Sequence, residues 1–136
     1  MTDAEPRDLL RQARVIAAVG LSANPDRPSN QVAWYLHHQG YRLFWVNPRC
    51  PEAEVFGVPM FPSLNQVPEP IDIVDVFRRP EHVAGIVSDC IRLKLPALWL
   101  QEGVVDQAAA ERAVQAGIFT VMDLCIFKER AALPEW

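Results

Sequence analysis

The chain has 136 residues, half of them apolar and 22% charged, with 13 basic against 17 acidic side chains and a formal charge of −4. That length suits one domain whose core is large enough to need no disulfide or metal staple. The acidic balance argues against an extended basic surface for nucleic acid and against a polybasic membrane anchor.

Residues 6–13 read as a short leading helix. Residues 14–20 (RVIAAVG) are an uninterrupted apolar run, the mark of a strand buried on both faces. The longest such run, Val15 to Leu21, has seven residues, far short of the about 20 a membrane-spanning helix needs. The polar, acidic start of the chain lacks the apolar core of a signal peptide, which points to the cytoplasm. A helix is expected over 29–39, with Ser29 as its N-cap and Gly40 as its stop, followed by a second strand at 41–46. The looser stretch 48–70 holds a short edge strand near 55–60 and a helical turn near 63–67. Residues 71–77 (IDIVDVF) form a third core strand. Val83, Ile86, Val87, Cys90 and Ile91 then recur at helical spacing within 81–94. A fourth strand at 97–101, an alanine-rich helix at about 105–116 ending at Gly117, a fifth strand at 118–123 and a short C-terminal helix complete the series. Most of the 12 prolines fall between these segments, as punctuation.

Strands that are apolar throughout, alternating with helices, predict an α/β fold: a doubly wound, mainly parallel, five-stranded Rossmann-like sheet with helices on both faces. One such domain accounts for residues 1–136. In these sheets ligands bind beyond the carboxyl ends of the strands, where the winding reverses. The residues leaving each strand are therefore the candidates for function.

After the first strand comes Gly20-Leu-Ser-Ala-Asn-Pro-Asp-Arg-Pro-Ser29. A glycine, a small polar loop and a helix start make an anion site from unpaired amides and the positive end of the helix dipole. Gly20, Ser22, Ala23, Asn24, Pro25, Arg27 and Ser29 are its candidate phosphate-binding residues. The loop is not G-x-G-x-x-G, because Ser22 and Pro25 replace the second and third glycines. After the second strand stands Asn47-Pro48-Arg49, where an NAD-binding domain would carry an acid for the ribose hydroxyls. A guanidinium there suits a phosphate on the ribose instead, as in NADP or coenzyme A. Phe77 leaves the third strand into the crevice, where it could flank a base or a pantetheine arm, with Arg78 and Arg79 available to a polyphosphate. Leu100, Gln101, Glu102 and Gly103 leave the fourth, and the glycine allows close approach of a ligand. Cys125 follows the fifth, at a position that can lower a thiol's pKa.

The remaining candidates are weak. Three widely spaced cysteines without a C-x-x-C indicate neither a disulfide framework nor a zinc site; Cys90 belongs to an apolar helix face and Cys50 to a loop. His37 and His38 are adjacent and cannot clamp a metal as an i, i+4 pair would, and His82 stands alone, so no metal site is expected. Asp72 lies on or near a central strand, and Asp75 on that strand is expected to accept amides from a neighbouring loop.

Ile16 to Ser29, Tyr41 to Arg49, Asp72 to Arg78, Trp99 to Gln101 and Met122 to Cys125 together resemble the small stand-alone CoA-binding domain family, across about residues 8 to 130. That family is similar to the CoA-binding N-terminal domain of the succinyl-CoA synthetase alpha subunit. The resemblance implies a Rossmann-like fold that binds coenzyme A. It assigns Gly20, Ser22, Ala23, Asn24 and Pro25 to the CoA phosphates, Arg49 to the basic position after the second strand, and Phe77 to the pantetheine arm. It aligns Leu100 to Gly103 with the synthetase's Thr-Glu-Gly turn, and Cys125 with the cysteine of its Gly-Pro-Asn-Cys loop. The synthetase's phosphohistidine comes from a second domain, for which no counterpart is expected here. Leu124 and the pair Glu129-Arg130 also stand where the family often has Arg and a Glu-His pair. The expectation is thus a CoA or acyl-CoA binding protein without catalysis of its own, a sensor or accessory module with a possible protein partner, and with neither nucleic-acid nor membrane partners. Two alternatives remain: an NADP-dependent oxidoreductase module, and a thiol redox regulator in which Cys125 forms a mixed disulfide with CoA.

Overall fold

The computed structural model describes residues 4–20, 28–47, 54–55 and 58–133. The leading segment forms α1 (Ala4–Gln12), and the first apolar run forms β1 (Val15–Val19), buried along its whole length. Then come α2 (Pro28–His38), β2 (Arg42–Val46), the two-residue β3 (Glu54–Val55) and β4 (Val58–Phe61). A 3-10 turn at Leu64–Gln66 leads to β5 (Ile73–Val76), and a second at Pro80–His82 runs into α3 (Val83–Arg92). β6 (Ala97–Leu100), α4 (Gln107–Gln115), β7 (Phe119–Val121) and α5 (Ile126–Ala131) follow.

The strands form one sheet in the order β3-β4-β2-β1-β5-β6-β7. Every pairing is parallel except β3 with β4. Counting the parallel strands alone along the chain, the order across the sheet is third, second, first, fourth, fifth, sixth. That is the doubly wound Rossmann arrangement, with its switch point between β1 and β5.

Two local expectations need correction. The sheet has six parallel strands and a short antiparallel seventh, not five. The stretch read as one edge strand splits into β3 and β4, and β4 adds to the sheet beside β2 through Trp45–Met60 and Val46–Phe61. A four-residue strand containing a proline carries too little periodicity to be scored as a full member. Ser29 is not the N-cap of α2, because the helix begins at Pro28. Proline's fixed φ and missing N–H suit the first helical position, which shifts the boundary by one residue.

Alternation along the buried strands divides the core. Ile16, Ala18, Trp45, Ile73 and Trp99 point to the face covered by α1, α2 and α5. Ala17, Val19, Val74, Val76 and Leu98 point to the face covered by α3 and α4. Cys90 lies in that second cluster, where burial pushes its thiol up to about 12, with the charge of Asp89 adding to the shift. It is a packing residue, as its place on the apolar helix face implied. At the amino ends of the strands the Asp72 carboxylate accepts the backbone N–H groups of Arg14 and Val15, each at 2.9 Å, pinning β1 to β5. Asp72 thus accepts backbone amides at the amino edge of the sheet. Among the described residues no helix is long and apolar enough to cross a membrane.

Candidate functional site at the carboxyl edge of the sheet

Parallel pairing brings the ends of the central strands side by side. The Gly20 N–H donates to the Val46 carbonyl at 2.9 Å, the Phe77 N–H to the Val19 carbonyl at 2.9 Å, and the Asn47 N–H to the Phe61 carbonyl at 3.0 Å. Asn47, Gly20 and Phe77 therefore stand in adjacent rows across the switch point. Gly20 has φ +93°, and a Cβ there would lie 2.3 Å from Arg78 Cδ, 2.6 Å from Arg78 Cγ and 3.3 Å from the Phe77 carbonyl carbon. Only glycine lets the stem of Arg78 cross the end of β1 this closely. Arg78 and Phe77 are half-buried, while Arg79 is exposed.

The β6 end is built differently from its outward reading. Leu100 is fully buried core. The buried Gln101 side chain donates from Nε2 to Asp75 Oδ1 at 2.6 Å and accepts the Ile126 N–H on Oε1 at 3.3 Å. Its amide thus joins β5 to the first turn of α5. Glu102 is exposed and pairs with Lys128 at 2.9 Å. Gly103, at φ +80°, donates its N–H to Asp123 Oδ1 at 2.8 Å. Asp123 sits at φ +64°, and its own N–H bonds the Leu100 carbonyl at 2.9 Å. The Trp99 indole N–H holds the Leu124 carbonyl at 2.9 Å. These bonds fix the turn that delivers Cys125, half-buried, to the start of α5.

Asp75, expected to accept amides from a neighbouring loop, accepts the side-chain amide of Gln101 from the turn after β6. It is 0% exposed, and burial pushes its carboxyl up to about 8, against the smaller lowering effect of the Gln101 hydrogen bond. Its Oδ2 has no hydrogen-bond partner among the described residues. The strand register brings the pair together: Asp75 pairs with Trp99, so the residue two beyond Trp99, Gln101, returns to the same face within reach.

Of the other candidates, Ser29 lies in the first turn of α2. Ser22, Ala23, Asn24, Pro25, Arg27, Pro48 and Arg49 fall outside the described residues, as does the loop cysteine Cys50. Two surface cavities formed by described residues lie away from the switch point. One, of about 340 Å³, is at the amino ends of β1 and β2 beside Arg14 and Tyr41. The other, of about 280 Å³, is between α4 and the edge strand β7. Strand order ranks the β1–β5 crevice above both, since that is where the backbone ends diverge to admit a ligand.

Strand order and a glycine-bounded switch point define a Rossmann-like α/β domain. The sequence pattern of the CoA binding domain family matches residues 14–131, and the chain belongs to that family. It is 39% identical over 123 residues to the uncharacterized protein YneT of Bacillus subtilis (strain 168), covering 90% of each chain. A solved protein from Thermus thermophilus is 38% identical, with a TM-score of 0.90 over 96% of this chain and 98% of its own. A hypothetical protein from Pyrococcus horikoshii OT3 is 32% identical, with a TM-score of 0.91 over 98% of this chain and 92% of its own.

Proposed function

We propose that this protein is a binding module for coenzyme A or its acyl esters, acting by recognition and leaving chemistry to a protein partner. The observation that carries the reading is the Gly20–Arg78 crossing at the switch point, in a chain of the CoA binding domain family. It sets a guanidinium stem against the end of β1, beside the loop that leads into α2. In this reading the loop 21–27 and the amino end of α2 hold the pyrophosphate through amides and dipole. Arg78 and Arg79 add positive charge, Arg49 pairs with the 3′-phosphate of the ribose, and Phe77 flanks the pantetheine arm.

The Arg49 assignment separates coenzyme A from dinucleotides. A hydrogen bond to a charged group contributes about 1.5–3 kcal/mol, which corresponds to roughly 10- to 150-fold in affinity. Dephospho-CoA is expected to bind more weakly than CoA by that factor, and Arg49→Ala should erase the difference. Equal affinities of the wild-type protein for the two ligands, measured by calorimetry, would remove Arg49 from the site.

A further inference from the structure

Asp75 occupies the middle of the sheet, facing the side covered by α2 and α5. Ala18 on β1 and Trp99 on β6 flank it in register. Its Oδ1 is held by Gln101, whose other end is fixed by the Ile126 N–H. Its Oδ2 is buried and has no hydrogen-bond partner among the described residues. An unmade hydrogen bond of this kind is costly in a folded protein, and such an atom calls for an explanation. No charged side chain contributes to the upward shift of the carboxyl. Burial alone drives the shift, so the carboxyl holds its proton to a higher pH than an exposed one does. With Oδ1 accepting from Gln101, that proton sits on Oδ2, which makes Oδ2 a buried donor lacking an acceptor. Phe77, half-buried, is the next residue outward on the same face of β5, about 7 Å further along the strand.

We propose that Asp75 Oδ2 is a ligand-directed hydrogen-bond donor, which takes a carbonyl oxygen of the pantetheine arm or of an acyl thioester entering the β1–β5 crevice past Phe77. This rests on the reading of the crevice as a coenzyme A site. Pantetheine has two amide carbonyls, and an acyl ester adds a third acceptor at its end. The Gln101 clamp keeps the carboxyl in one orientation, so the donor is preset rather than recruited.

The test is calorimetric titration of the full chain with CoA, acetyl-CoA and adenosine 3′,5′-bisphosphate, which has the nucleotide but no arm. Asp75→Leu, which removes the donor, should weaken CoA by about 10-fold and leave the bisphosphate unchanged. Asp75→Asn keeps an acceptor for Gln101 and offers an N–H in place of the hydroxyl, so it should restore most of the affinity. A larger loss for acetyl-CoA than for CoA places the contact at the thioester, and equal losses place it at an amide carbonyl. If Asp75→Leu binds CoA as the wild type does, or if both variants lose CoA and the bisphosphate alike, the proposal is overturned. If wild-type protein binds the bisphosphate but neither CoA nor acetyl-CoA more tightly, the arm is not recognised and the proposal fails on that ground. If it binds none of the three, the coenzyme A reading fails first.

Discussion

Gly20→Ala is expected to destabilise the protein by about 2–4 kcal/mol, through strain at positive φ and through overlap with a neighbour. The backbone there has φ +93°, and the added methyl carbon would overlap two carbons of the Arg78 stem while pressing on the Phe77 carbonyl carbon. The arginine would have to leave the end of β1, and the backbone of β5 cannot follow it without breaking the bond from Phe77 to Val19. For a domain of this size the melting temperature should fall by roughly 10 °C. Gly40 provides the control. It has φ +97°, but an added methyl there would meet nothing within 4 Å, so Gly40→Ala should show strain alone, about 1–2 kcal/mol. Equal losses at the two glycines, measured by thermal melting, would show that the Arg78 crossing does not constrain the switch point.

The second large effect is on the pH dependence of stability. The Asp75 carboxyl has an ordinary value of 3.8 and is raised to about 8 in the folded protein. Between those values the folded chain holds a proton that the unfolded chain releases. The contribution of Asp75 is therefore fully present below about pH 4 and is lost as pH rises through about 8. One proton gives a slope approaching 1.4 kcal/mol per pH unit. Asp75→Asn cannot ionise and still accepts the Gln101 N–H, so it should track the wild type near pH 4 and become progressively more stable than it by pH 9. Urea unfolding at pH 5, 7 and 9 measures the difference. Parallel profiles for the two proteins would mean that Asp75 is ionised, or solvated, in the folded state.

Much of the fold was legible because parallel strands covered on both faces must be apolar throughout. Val15–Val19, Ile73–Val76 and Ala97–Leu100 could hardly be read otherwise, and the helices between them follow from spacing and from stops such as Gly40. The edge of the sheet was less legible. β3 and β4 are two and four residues long, too short for a period to register, and only β4 pairs with β2, over two residues. The site divides in the same way. Gly20, Asn47, Phe77, Gly103 and Cys125 were located by a topological rule, since any residue following a parallel strand reaches the carboxyl edge. Gln101 and Asp75 were not understood, because the bond between them depends on the register of β5 against β6, which no local pattern encodes. A polar residue inside an apolar strand was the available clue; it indicated an amide from a neighbouring loop, and only the strand register names Gln101 as the donor.

Every functional role assigned above requires that the β1–β5 crevice take coenzyme A. The direct measurement is the melting temperature of the full chain with CoA, acetyl-CoA, NADP and NAD, each at rising concentration. At about 100 times its dissociation constant a ligand adds roughly 2.7 kcal/mol, a rise of about 5–15 °C for a domain near this length. The prediction is a saturable rise of that size with CoA or acetyl-CoA, and a much smaller one with NADP and NAD at the same concentrations. No shift with either thiol cofactor, or a larger one with NADP, would contradict it.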